Sequence, residues 1–338
     1  MGRSIGVDLH KNSFTVCYYQ SEKRSTERTY RVSKQGLSAF KKVLRVEDEV
    51  AVESTGNTNY FVREIEGRVK RIRIVNPIQF KVISESVKKT DGRDSFTIAQ
   101  FLSKDLIPEV RMKSKEASQV TSLIGTRDKF VKLRTSMKNK IHNILNANGI
   151  VTKREIFGSN KGLNKVLDNN LDESYQFEVE LLVDQIKKMN EAIAKIEAEL
   201  VEQGRKLEGH ANLISITGIS DVGATIFLNT IGSIGDFKDE KVLASYFGIV
   251  PRIYISNKTV HHGRITKRGN KIARTTLVQS TLVAIRYSPY LRSFYEKLKA
   301  KKGSGKAIIA TSRKMLGIIY KTLKNNWMFE DFSEFKLA

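Results

Sequence analysis

Two short β-rich runs, residues 5–7 and 13–19, flank the polar turn Leu9-His10-Lys11-Asn12. A chain that opens this way folds its start as a hairpin. Residues 28–32 continue as a third strand. Residues 35–44 then carry Leu37, Phe40, Val43 and Leu44 at helical spacing. A buried-strand pattern at 49–52 is closed by Ser54-Thr55-Gly56-Asn57. Residues 60–65 read as helix, 71–75 as strand, and Asn76-Pro77 as a helix start. The order βββαβαβα predicts an α/β fold, a mixed sheet with helices packed on it.

Charge narrows what such a sheet can serve. Lys plus Arg number 59 and Asp plus Glu 36, a net charge of +23 over 338 residues. That length predicts two or three domains with real cores. The charge points to a polyanionic partner, either nucleic acid or an anionic membrane surface. A membrane surface fits poorly, because no cationic helix carries a large aromatic face. No apolar run nears the ~20 residues of a membrane span. The first eight residues meet a carboxylate, Asp8, too early for a signal peptide. Cys17 is the one cysteine, which excludes a disulfide framework or a cysteine metal cluster and points to a reducing compartment. The expectation is a cytoplasmic protein that faces nucleic acid.

In a chain short of acids, four fall at the ends of elements. Asp8 ends the first strand and Glu53 the fourth. Asp91 and Asp94 share a face at the start of a helix that runs through Ile98, Phe101 and Leu102. With the first and fourth strands adjacent, Asp8 and Glu53 lie side by side at one sheet edge. Converging carboxylates repel unless cations neutralise them, and oxygen-only ligands suit Mg²⁺ or Mn²⁺. Two such ions about 3.5–4 Å apart serve phosphodiester chemistry. Taken singly, each acid also suits solubility or capping, and Asp91 also reads as an N-cap.

Gly6-Val7-Asp8-Leu9-His10-Lys11, Val52-Glu53-Ser54-Thr55-Gly56 and Lys89-Thr90-Asp91-Gly92-Arg93-Asp94 resemble the three signatures of the DEDD transposases. These are the insertion-sequence family one-ten enzymes and the related pilin-gene inverting recombinases. The resemblance implies an N-terminal domain like the RuvC resolvase, with an RNase H-like fold. It also implies that Asp8, Glu53, Asp91 and Asp94 are catalytic and bind Mg²⁺. Ser95 stands where the family usually has alanine.

From Arg111 to Lys140 there are nine basic residues and two acids, Glu116 and Asp128. Interleaved apolar residues predict one or two amphipathic helices. Their cations, including Arg127, Lys132, Arg134 and Lys138, would contact phosphate backbone without reading sequence. Farther on, Leu182, Ile186, Met189, Ile193, Ile196 and Leu200 alternate spacings of four and three. That is a heptad seam and predicts a coiled coil, within one chain or between two. The resemblance favours a homo-oligomer, a dimer or tetramer. The expected organisation is a first domain at 1–110 with a helical extension to about 150. A coiled-coil region at 151–208 and a mainly α transposase domain at 209–338 would follow.

Residues 213–219 followed by Val222-Gly223-Ala224-Thr225 look like a helix-hairpin-helix, whose turn offers N–H groups to phosphate, or else an ordinary αα-corner. From Lys241 to Tyr295 no Asp or Glu occurs, while ten residues are Lys or Arg. Within this block Ile253 and Ile255 alternate as in a strand that ends at Ser256. A serine surrounded by Lys258, Arg264, Lys267, Arg268, Lys271 and Arg274 suits attack on a phosphodiester, with the cations stabilising the pentacoordinate charge. It equally suits a plain phosphate contact. The resemblance supplies more. Gly248-Ile249-Val250-Pro251 and Gly263-Arg264-Ile265-Thr266-Lys267-Arg268-Gly269 match the family's second domain, and Ser256 falls at its serine. Asn257 replaces the usual glycine. Ser245 and Thr259 are other hydroxyls in the block, and His261 and His262 suit protonation of a leaving oxygen.

The resemblance therefore implies a DNA transposase or recombinase that joins strands through a covalent phosphoserine. It would act on donor and target DNA, guided by a structured non-coding bridge RNA, in the cytoplasm of a bacterial or archaeal cell and associated with the nucleoid. The alternative is a RuvC-like metal-dependent nuclease that needs the four acids and no serine.

Overall fold

The computed structural model describes residues 2–21, 23–77, 79–80, 90–256 and 259–331, with the backbone alone at 255, 256, 260 and 262. The chain divides into two compact units, Met1–Lys113 and Ser114–Ala338.

In the first unit, β1 (Ser4–Leu9) and β2 (Ser13–Ser21) form the expected antiparallel hairpin, and β3 (Arg24–Arg31) adds to β2. Helix α1 (Lys34–Val43) starts where the Ser33 hydroxyl accepts a hydrogen bond from the Gly36 amide at 3.1 Å. β4 (Glu49–Glu53), α2 (Thr58–Ile65) and β5 (Arg71–Val75) follow. Asn76 then caps a turn, its carbonyl accepting from the Phe80 amide at 2.8 Å, and residues 81–89 lie outside the described residues. Helix α3 (Asp91–Ser103) begins with Thr90 as its cap. The two-residue β6 (Glu109–Val110) closes the sheet and was not expected from the sequence. Strand order is β3-β2-β1-β4-β5-β6, with β1, β4 and β5 parallel to one another and the other neighbours antiparallel.

Alternation along the strands assigns the two faces. Ile5, Val7, Val50 and Val52 pack with Leu37, Phe40, Phe61 and Ile65 of α1 and α2. Ala51 and Val75 pack with Ile98 and Leu102 of α3, and Cys17 and Tyr19 with Ala99, so α3 covers the opposite face. Asp8 and Glu53, one step beyond paired Val7 and Val52, share the face under α3.

The second unit opens with α4 (Lys115–Ala147), a single helix of 33 residues started by Ser114. Helix α4 lies in the second unit. The reason is its partner. After a short 3₁₀ turn and α5 (Asn160–Leu167), α6 (Glu173–Arg205) runs back along it. Ion pairs Arg127–Glu197 and Lys140–Glu178 and the Arg134–Asn190 hydrogen bond fix the antiparallel register.

The line of buried residues on α6 shares three positions with the expected heptad seam. Val179, Val183, Ile186, Ile193, Leu200 and Gly204 are the buried residues of α6. With Asn190 and Glu197 between them they keep the four-three spacing without a break. Ile186, Ile193 and Leu200 belong to the expected seam, whereas Leu182, Met189 and Ile196 flank it half-buried. Asn190 and Glu197 are half-buried like these three, and Leu182 and Ile196 also pack on the helical cores. The partners of Asn190 and Glu197 are polar as well: Arg127 and Arg134 stand in line between Val120, Ile124 and Ile141 of α4.

The rest of the unit is α7 (His210–Ile214), α8 (Asp221–Ile231), α9 (Glu240–Tyr246), α10 (Lys271–Tyr287), α11 (Pro289–Lys302) and α12 (Ser304–Asn325). An antiparallel hairpin, β7 (Pro251–Ser256) and β8 (Thr259–Ile265), interrupts the helices. Phe227, Phe247, Leu277 and Met315 are central in the helical core. Gly218, between α7 and α8, has φ +95°, and a Cβ there would stand 2.5 Å from the Ser280 carbonyl oxygen, so glycine lets this turn dock on α10.

Candidate active site

Two of the four expected acids, Asp8 and Asp91, bring ligand atoms together by different routes, and Glu53 and Asp94 stand near enough to act on Asp8. Asp8 ends β1 in mid-sheet, Glu53 ends the adjacent parallel β4, and Asp91 comes from the first turn of α3 with Asp94 one position round. Asp8 is 5% exposed. Burial pushes its carboxyl up to about 6. His10 opposes this rise, while the charges of Asp91, Glu53 and Asp94 add to it. The other three acids thus act on the Asp8 carboxyl.

The structure adds a residue that sequence reasoning passed over. His10 Nε2 lies 3.3 Å from Asp8 Oδ2 and 3.4 Å from Asp91 Oδ1. Ligand atoms of Asp8, His10 and Asp91 all fall within 4.8 Å of one another. The signal was present: Asp8 and His10 are two apart at a strand end, so they share a side. Asp91 has a side chain 63% exposed, which opens the cluster to solvent.

This donor set fits a divalent cation. A buried carboxylate beside three other carboxylates carries repulsion that a cation relieves, and carboxylate oxygens are hard ligands. Asp8, Asp91 and His10 supply converging donor atoms, with Glu53 and Asp94 close enough to add charge.

The second candidate centre is the β7–β8 hairpin. Ser256 is the last residue of β7, and its backbone pairs with Thr259. Lys258 lies outside the described residues. The base of the hairpin is clamped to the residues before it: the Thr266 amide donates to the Val250 carbonyl at 2.9 Å and the Lys267 amide to the Gly248 carbonyl at 3.0 Å. Gly248 has φ +69°, and a Cβ on it would meet the Arg268 carbonyl oxygen at 1.8 Å. The two glycine-bearing motifs are therefore neighbours in space. Arg264, Lys267, Arg268 and Lys271 are exposed around them.

Other expected phosphate contacts have partners inside the chain. Arg274 Nη1 donates to the carbonyls of Phe247 and Arg268 at 3.1 and 3.2 Å, so it braces the motif. Arg127 Nε donates to Glu197 at 2.7 Å, Arg134 Nη1 to Asn190 at 2.8 Å, and Lys132 pairs with Asp128. Burial, then the charge of Arg134, holds Lys138 below its ordinary pKa.

A DEDD profile of the IS110 type, described as "Transposase", matches residues 5–149. A second, the "Transposase IS116/IS110/IS902 family", matches residues 210–296. The transposase for insertion sequence element IS1111A of Coxiella burnetii is 27% identical over 331 residues, covering 94% of this chain and 89% of that protein. The pilin gene-inverting protein of Moraxella bovis is 23% identical, covering 96% of this chain and 97% of its own. A probable family 20 transposase of Pseudomonas aeruginosa is 23% identical, covering 83% and 80%. The chain belongs to the IS110 family of DEDD transposases, enzymes of DNA transposition and recombination. Among the described residues no helix is long and apolar enough to cross a membrane.

Proposed function

We propose that this enzyme cuts and rejoins DNA strands with two centres, the Asp8 cluster and Ser256. The observation that carries the reading is the convergence of Asp8 and Asp91 within ligand distance, with Glu53 and Asp94 acting on the same buried carboxyl. Asp8, Glu53, Asp91 and Asp94 would hold Mg²⁺, with Mn²⁺ as its substitute. A bound ion supplies charge stabilisation at a phosphoryl oxygen. The part of the acids is to hold that ion in place.

At the second centre the Ser256 Oγ attacks phosphorus. An O–P bond to serine forms as the bond to the DNA leaving oxygen breaks. The serine proton leaves to a base, and the leaving oxygen takes one up. His261, exposed on β8, stands two residues beyond Thr259 and suits that donation. Reversal with a new strand's hydroxyl rejoins the DNA. Arg264, Lys267, Arg268 and Lys271 stabilise the developing charge from an exposed rim. The acids of one subunit and the serine of another make a composite site in a homo-oligomer. A net charge of +23 suits holding backbone. Sequence choice on donor and target DNA then falls to a bound non-coding RNA. The setting is the cytoplasm of a bacterial or archaeal cell.

The test is recombination in cells, with the gene and its native flanks beside donor and target plasmids and junction product counted by PCR. Asp8→Asn and Ser256→Ala are both expected to abolish product while retaining DNA binding. Normal product from Ser256→Ala would remove the step at this serine and leave a metal-dependent RuvC-like cutter, or move the nucleophile to a neighbouring residue. RNA of one discrete sequence is expected to co-purify with the protein from those cells.

A further inference from the structure

We infer that His10 is a nitrogen ligand of the cation site, and that the site therefore prefers Mn²⁺ to Mg²⁺. The inference rests on the acid-cluster reading above and adds a donor of different chemistry to it.

The spacing is that of a coordination shell. A regular octahedron with bonds of about 2.1 Å has adjacent ligand atoms about 3 Å apart and opposite ones about 4.2 Å apart. His10 Nε2 stands 3.3 Å from Asp8 Oδ2 and 3.4 Å from Asp91 Oδ1, and the three ligand atoms lie within 4.8 Å. A small inward shift of each brings all three onto one ion. As an ion pair the arrangement is loose, because charge-assisted N–H···O bonds run about 2.7–2.9 Å.

The ring is placed by its backbone. The His10 amide donates to the Ser13 carbonyl at 2.9 Å. The Asn57 side-chain amide, from the turn after Glu53, donates to the His10 carbonyl at 3.2 Å and to the Lys11 carbonyl at 3.1 Å. The turn that carries His10 is thus tied to the strand end that carries Glu53. Half of the imidazole, 49%, is exposed, so an ion has a path to it.

The donor set decides the ion. Mg²⁺ takes oxygen ligands and sheds water reluctantly. Imidazole shifts preference toward first-row transition ions, and of these Mn²⁺ also suits carboxylates.

The experiment is Mn²⁺ and Mg²⁺ titration of the full chain, with pulsed electron paramagnetic resonance of the bound Mn²⁺. Wild type, His10→Asp and Asp8→Asn would be compared, each checked for folding by circular dichroism. Wild type is expected to show nitrogen hyperfine coupling from imidazole and tighter binding of Mn²⁺ than Mg²⁺. His10→Asp restores an all-oxygen set: it should still bind Mn²⁺ without the coupling, with its Mn²⁺ preference reduced by about tenfold or more, at least what loss of an outer-shell partner costs. Absent coupling in wild type, or coupling that survives in His10→Asp, overturns the role of His10 and leaves the acid cluster standing. Mn²⁺ binding that Asp8→Asn leaves unchanged overturns the cluster itself, and His10 with it.

Discussion

At Gly6, β1 lies so close to α3 that a methyl group on it would stand 2.1 Å from the carbonyl oxygen of Ser95. It would also meet the Ala99 amide nitrogen at 2.4 Å. Both neighbours are backbone and cannot swing aside. This contact seats the first turn of α3, with Asp91 and Asp94, beside Asp8. Gly6→Ala is expected to lift α3 and to destabilise the sheet unit by about 1–3 kcal/mol, the usual cost of overpacking. Urea denaturation beside Mn²⁺ titration checks this, and both stability and affinity should fall.

Asp48 anchors the start of β1 to the turn before β4. Fully buried, it accepts from the Arg3 amide at 3.1 Å, Arg3 Nε at 3.1 Å, Arg3 Nη2 at 2.6 Å and the Arg45 amide at 2.9 Å. Burial pushes its carboxyl up, but the bonds from Arg3 and Arg45 outweigh burial and hold it below the usual carboxylate range. A lowered folded pKa means that the contribution is complete above the ordinary value and is lost as pH falls through the folded one. Asp48→Asn should therefore cost about 3 kcal/mol or more at neutral pH, since it leaves a buried cation underpaired. The gap to wild type should narrow toward pH 3, read by urea denaturation at each pH.

Across the long helical pair, Arg127 and Glu197 occupy positions where a heptad seam ordinarily carries apolar residues. Polar seam positions set register at a cost in stability. Replacing both by leucine is expected to raise the melting temperature. Glu197→Leu alone should lower it, because Arg127 then lacks its partner. A double-mutant cycle should return a coupling of about 0.5–3 kcal/mol; zero coupling would make the pair a surface ornament.

Cys17 lies under α3 with no exposure. Burial, and then the Glu27 carboxylate, push its thiol up to about 12. At pH 8 only about one thiol in 10⁴ is ionised. Iodoacetamide should leave the native protein unlabelled and modify it fully in urea, which makes this thiol a probe for opening of the sheet.

Local rules carried much of the architecture. Residues 71–75 are the strand that their pattern predicts, and the hairpin of β1 and β2 follows from two β-rich runs around a polar turn. β6 escaped because two residues show no period, and β8 because His261-His262-Gly263 interrupts its alternation. The acids were legible as residues at element ends. Their meeting could be read only on the condition that β1 lies beside β4, a pairing that spans forty-five residues at Ser4 and Glu49 and that tertiary structure decides.

The sequence by itself determined the classes of element, the charge, and the family that its three motifs resemble, since period, capping and turn chemistry act over a few residues. Tertiary structure alone decided which residues share a point in space. It brought His10 to Asp8 and Asp91, turned Arg127 and Arg134 inward to a seam, and gave Arg274 to backbone carbonyls. The physical reason is that a side chain's partner is set by which elements bury their apolar faces together. That choice is made over the whole chain, while the residue types only state what each side chain will accept when it arrives.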